Sequence, residues 1–222
     1  MTALPLKDYP YWVFDLDNTL YPVGANLFEA IDKRMCGFIA DYLDIGHAEA
    51  YRLQKQYFRE HGTTLRGLMD CHGMEPGPYL EYVHSVDLAP VKRDSRMDRA
   101  LDQLPGRKFV FTNATLDYAR RVLDKIGIAR HFDDIFDIEA ADFIPKPEPR
   151  VYERMQSRFG IDPVATVMVE DVARNLGPAA AMGMTTVWVM TGRPWAHAEA
   201  ADHDPHHRTD NLTEWLAGVA GI

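Results

Sequence analysis

Hydrophobic and polar positions along this chain switch between two periods. Tyr11-Trp12-Val13-Phe14 is an unbroken apolar, β-prone run, and similar runs return at 108–111, 134–137, 166–169 and 185–189. Short apolar runs of this kind predict strands buried on both faces. Between the later runs, apolar residues recur at three- and four-residue steps over 116–126, 150–159 and 175–182. Each of these stretches stops at a glycine, Gly127, Gly160 and Gly183, as helices commonly do. Strand and helix in alternation predict βαβ units and a doubly wound, mostly parallel sheet, a Rossmann-like α/β core.

After Pro22 the period is helical throughout. Phe28, Ile31, Met35, Phe38, Ile39, Tyr42 and Leu43 share one face. Further helices are expected over about 47–59, 78–84 and 95–104, while 61–68, bracketed by Gly62 and Gly67, reads as a loop or helix junction. The first strand is thus separated from the others by an insert of about 70 residues, far longer than ordinary βα connections. The expected division is an α/β core, 1–21 and 105–222, with an all-α cap, 22–104, over the strand ends. Thr209 to Glu214 reads as the capped start of a final helix with Trp215 and Leu216 packing inward.

Candidate chemistry sits at the strand ends, where open α/β sheets bind ligands. The first run ends in Asp15-Leu16-Asp17-Asn18-Thr19. Two carboxylates this close repel unless a proton or cation intervenes, and a hard cation such as magnesium suits oxygen ligands. One such acid can attack as a nucleophile while the other carries a proton. The second run leads into Thr112-Asn113, a hydroxyl and an amide able to hold a phosphate oxygen. Lys146 stands among Pro145, Pro147 and Pro149, where it can neutralise a phosphate or a carboxylate. A further run ends in Glu170-Asp171, a second acidic pair suited to a metal. Singly these are ordinary turn, loop and helix-cap residues. At successive strand ends, in this order, they point to one site.

Composition narrows the partners. The chain has 222 residues with 24 basic and 33 acidic side chains, a net charge of −9. That argues against a nucleic-acid polymer or an anionic membrane as partner, and leaves room for a small anion in a locally positive pocket. Two cysteines, Cys36 and Cys71, suggest a reducing compartment, with a single bridge between them as the alternative. The first residues lack a signal peptide's apolar core and no apolar run reaches spanning length, so a cytoplasmic location is expected.

Taken together, Asp15-x-Asp17-x-Thr19, Thr112, Lys146 and Glu170-Asp171 resemble the four motifs of the haloacid dehalogenase superfamily, and the helical insert resembles the cap of one branch. Finer features resemble its pyrimidine 5′-nucleotidases: Asp15 to Pro22, Gly62 to Leu68, and Tyr82-Val83-His84 with Asp87. The resemblance implies a magnesium-dependent phosphatase acting on a small phosphate monoester, with a pyrimidine nucleoside 5′-monophosphate as the finer expectation. It implies Asp15 as nucleophile and Asp17 as acid and base. Asn18, Thr112, Asn113 and Lys146 would hold phosphoryl oxygens. Asp15, the Asp17 carbonyl, Asp171 and Glu170 would hold the metal. Val172 departs from the pattern, where many relatives carry Ser, and Asn175 fits it. A dehalogenase would need neither Asp17 nor the second acidic pair, a phosphomutase would keep every motif, and a non-catalytic relative would be expected to lose one.

Other features read more plainly. In the insert, Arg66 is the candidate for reaching substrate. Tyr51, Tyr57 and Phe58 read as core, and Lys33, Arg34, Lys55 and Arg59 as a solvated face. His197, His203, His206 and His207 are spaced too irregularly for a metal site and read as a solvated segment.

Overall fold

The computed structural model describes residues 4–193, 196 and 204–222. Six strands form one sheet: β1 (Tyr11–Phe14), β2 (Arg107–Phe111), β3 (Asp134–Phe136), β4 (Thr166–Glu170), β5 (Thr185–Val189) and β6 (His207–Thr209). Their order is β3-β2-β1-β4-β5-β6 and every pairing is parallel. This is the doubly wound order, in which the chain leaves β1 in both directions across the sheet. The crevice beyond the carboxyl end of β1 is therefore the place for a site.

Alternation along β1 divides the core. Trp12 and Phe14 face one layer and Val13 the other. Against the first face pack α5 (Ser95–Gln103), α6 (Leu116–Ile126) and α9 (Leu212–Ala220), through residues such as Leu101, Val122 and Leu216. Against the second pack α7 (Pro149–Phe159) and α8 (Leu176–Ala181), through Tyr152, Met155, Phe159 and Ala179. Lys108 sits inside the apolar second strand because its ammonium runs back to the Leu104 and Gly106 carbonyls, 2.5 and 3.1 Å away.

The insert forms α1 (Leu27–Leu43), α2 (His47–His61), α3 (Thr64–His72) and α4 (Pro76–His84). The stretch at 61–68, read as a loop or helix junction, is the junction of α2 and α3: Thr63 accepts a hydrogen bond from the Arg66 amide and starts α3. Gly67 lets α3 lie tight on α2, since a Cβ there would stand 2.3 Å from the Tyr57 side chain. At the end of the insert α5 packs on α9, and the Asp94 amide donates to the Ile126 carbonyl.

The stretch at 207–209 is a parallel edge strand where no strand was expected. Three residues with exposed or half-buried side chains carry little apolar pattern, and β5 supplies the pairing that defines them. Within the stretch read as a capped helix start, Asn211 caps α9 by accepting from the Glu214 amide. Leu216 is buried and Trp215 half-buried, both against the core as expected. Cys36 and Cys71 are free thiols. No helix among the described residues is long and apolar enough to cross a membrane.

Candidate active site

The floor of the site is built where β1, β2 and β4 end together. The ladder runs on through the Asp15 amide, which donates to the Val169 carbonyl at 2.9 Å and sets Asp15 beside the end of β4. The Lys146 ammonium lies 2.7 Å from Asp15 Oδ1, 2.6 Å from Glu170 Oε2 and 2.9 Å from the Phe111 carbonyl. Its backbone amide donates to Asn113 Oδ1, which ties the proline-rich loop to the end of β2. One buried lysine thus joins three strand ends.

Asp17 is held separately. Its Oδ1 accepts from the Tyr21 hydroxyl at 2.6 Å and the Tyr118 hydroxyl at 2.8 Å. The Tyr118 ring stacks on His84, 4.6 Å between centroids, and His84 Nδ1 is 3.2 Å from the Thr115 hydroxyl. Asn18 takes a left-handed backbone, φ 59°, as the chain turns out of β1.

Asp15, Asp17 and Asp171 all feel that one ammonium as well as the acids beside them. Burial, then the Glu170 carboxylate, pushes Asp15 up to about 7 against the pull of Lys146. Burial raises Asp17 too, opposed by its two tyrosine hydrogen bonds. Burial, then Glu170 and Asp15, lifts Asp171 well above the carboxylate range. Burial works against the Lys146 charge, but Asp15 and Glu170 outweigh it and raise its pKa.

Oxygens of Asp15, Glu170 and Asp171 converge within 4.8 Å of one another. Glu170 has both oxygens engaged, by Lys146 and by the Val172 amide, so the backbone of Val172 supplies a hydrogen bond to the acid pair itself. Asp171 Oδ2 is buried with no hydrogen-bond partner, while its carbonyl accepts from Trp188. An orphaned carboxylate oxygen beside two further acids is the donor set a divalent cation fits.

Above the floor, α1 to α4 close a cavity of about 160 Å³. Phe28, Ile31, Met35, Phe58, Leu80 and Val83 give it a largely apolar roof, in which Asp32, Gln54, Lys55, Thr64 and Tyr79 are the polar groups. Arg174 reaches across from the loop after β4, donating to the Phe58 and Gly62 carbonyls at 2.9 and 3.1 Å and lying over the Phe58 ring.

Asp15, Asp17, Asn18, Thr112, Asn113, Lys146, Glu170, Asp171 and Asn175 all line this one cavity. Arg66 does not: it pairs with Asp70 one turn along α3, at 2.8 Å, because the helix that forms there turns it outward. Lys55, read as solvated, lines the cavity and pairs with Asp32 at 2.5 Å. Arg34 lies over Tyr82 and bonds its carbonyl. Of the aromatics read as core, Tyr57 is buried, Phe58 lines the cavity and Tyr51 is exposed. His197 and His203 lie outside the described residues. His206 Nδ1 meets the Thr186 hydroxyl at 2.9 Å at the sheet edge.

The residues missed were Tyr21, Asp32, Gln54, Tyr79, Tyr118 and Arg174. Only Tyr21, one helical turn past Asp17, carried a local signal; the others reach the site from distant segments.

Residues 12–183 match the haloacid dehalogenase-like hydrolase family. The chain belongs to that family. It is 28% identical over 190 residues to phosphate metabolism protein 8 of Saccharomyces cerevisiae, covering 77% of this chain and 58% of that protein, so it spans less than two thirds of that relative. It is 26% identical to glyceraldehyde 3-phosphate phosphatase of Methanopyrus kandleri, over 82% of this chain and 84% of that one. Among solved structures, a family hydrolase from Bacillus subtilis bound to magnesium superposes with a TM-score of 0.63 at 18% identity, covering 96% of this chain and 99% of its own. L-2-haloacid dehalogenases share the fold as well.

Proposed function

We propose that this hydrolase is a magnesium-dependent phosphatase that cleaves a small phosphate monoester, a pyrimidine nucleoside 5′-monophosphate being the substrate we favour, in the cytoplasm. The observation that carries the reading is Asp17: a second acid beside Asp15, held by two tyrosine hydroxyls with its pKa raised. Carbon–halogen hydrolysis has no use for that group; loss of an alkoxide does. A glyceraldehyde 3-phosphate phosphatase among the relatives points the same way.

In this reading Asp15 attacks phosphorus and becomes an aspartyl phosphate. Asp17 gives its proton to the leaving oxygen, then takes one from the water that hydrolyses the intermediate. Lys146 holds Asp15 in place and offsets its charge against an anionic substrate, and with Asn18, Thr112 and Asn113 it cradles the phosphoryl oxygens. Asp15, the Asp17 carbonyl and Asp171, with Glu170 alongside, would hold magnesium, which when bound neutralises the clustered carboxylates and the phosphoryl charge. The core (1–21 and 105–222) would carry the chemistry and the cap (22–104) would choose the leaving group.

Phosphate release with magnesium from a panel of nucleotides, sugar phosphates and cofactor phosphates tests this. Preference for a pyrimidine nucleotide is expected. Asp15→Asn should abolish release while the fold persists; near-normal turnover in that variant would remove the nucleophile from the scheme.

A further inference from the structure

The roof of the cavity holds a small polar station with its hydrogen bonds left incomplete. Gln54 and Tyr79 are each 1% exposed, and both line the cavity. Gln54 Oε1 has no hydrogen-bond partner, and the Tyr79 hydroxyl has only the Thr64 side chain near it, without an aligned hydrogen bond. The orientation of the Gln54 amide follows from its neighbours: its nitrogen donates to Asp32 Oδ1 at 2.7 Å and to the Asp32 carbonyl at 3.2 Å. Two acceptors on that side require the NH₂ there, so the open group is the carbonyl oxygen. The same Asp32 Oδ1 takes the Lys55 ammonium at 2.5 Å, which pins the carboxylate and neutralises it.

An unpaired buried acceptor costs about 1–3 kcal/mol, so such groups persist where something else completes them. Around this station the wall is Phe28, Ile31, Met35, Phe58 and Leu80. It offers an acceptor from Gln54, a carboxylate edge from Asp32 and a hydroxyl from Tyr79. A carboxylate or second phosphate on the leaving group would set acceptors against the Gln54 carbonyl oxygen, and the Lys55 charge is already taken by Asp32. A polyhydroxylated sugar would leave most of its hydroxyls against apolar carbon.

We infer that the Gln54–Asp32–Tyr79 station selects a leaving group with a largely apolar, planar body and an N–H hydrogen-bond donor of the amide or imide kind at its far end. The inference rests on the phosphatase reading and assigns specificity within it: Asp15 and Lys146 hold the phosphoryl end, and Gln54 receives the donor.

The test compares three substrates on the intact protein with magnesium: uridine 5′-monophosphate, its N3-methyl analogue, which lacks the imide N–H, and p-nitrophenyl phosphate. Deleting the donor leaves the protein's buried polar group unpaired, so kcat/KM is expected to fall about tenfold or more on methylation. Gln54→Met should bring the ratio of the two nucleotides close to one. Equal kcat/KM for the two in the wild-type protein, with p-nitrophenyl phosphate turned over, would overturn the specificity station and leave the phosphatase standing. A ratio unchanged in Gln54→Met would mean bulk, not the donor, is sensed, and would overturn it equally. No turnover of any of the three, p-nitrophenyl phosphate included, would remove the phosphatase reading and the station with it.

Discussion

His84 shows how a single side chain carries both stability and site geometry. Burial, then the nearby Arg121 guanidinium, pushes it down to about 4, so it is neutral in the folded protein. The unfolded chain binds that proton near the ordinary histidine value. Between those two values the unfolded state holds more protons, and stability falls as pH falls through that window. The cost between pH 7 and pH 5 is about 2 kcal/mol. Urea unfolding of wild type and His84→Asn at both pH values should show the loss shrinking by that amount in the variant. The ring also stacks on Tyr118, whose hydroxyl donates to Asp17.

Between elements, two junctions matter most. At the start of β2, Gly106 has φ +81° and a Cβ there would stand 2.4 Å from the Pro10 carbonyl oxygen. That close approach lets the Arg107 amide bond the same carbonyl and sets the register of β1 against β2. Gly106→Ala should cost about 3 kcal/mol or more in chemical unfolding, from left-handed strain and the clash together. At the other end of the sheet, Arg174 satisfies the Phe58 and Gly62 carbonyls at the end of α2, where a helix has no internal donors and favours positive charge. Gly62 itself touches the Lys146 loop, a Cβ there coming 3.2 Å from Pro145. Arg174→Ala should therefore speed amide hydrogen exchange over 58–62 about tenfold, while exchange in β1 and β4 stays as it was.

For the whole molecule, the cluster of acids is the feature to probe. A cation that binds Asp15, Glu170 and Asp171 in the folded state alone must stabilise it, by about 2.7 kcal/mol at a hundred times its dissociation constant. Magnesium should raise the thermal midpoint, a chelator should reverse the rise and stop turnover, and Asp171→Asn should abolish the rise. No shift with magnesium in the wild-type protein would count against that metal site.

Strands and most helices were legible because burial on both faces leaves unbroken apolar runs, and glycine stops leave their own mark. The acids and lysine at the strand ends were legible because the order of strand ends along the chain maps onto one edge of a parallel sheet. Local pattern was weaker for α3, hidden by its glycines, and for β6, whose identity comes from its neighbour. Lys55 lines the cavity and Arg66 does not, because sequence pattern leaves open a helix's rotation against its partners. Tyr118, Arg174, Asp32 and Gln54 were out of reach, since each acts on a group from a distant segment. Hydrophobic period and local turn chemistry are written residue by residue, so composition and order suffice to place the α/β core and the edge where its acids meet. Which face of the insert looks down on that edge, and which side chains line the cavity above it, is settled by packing between segments far apart in the chain.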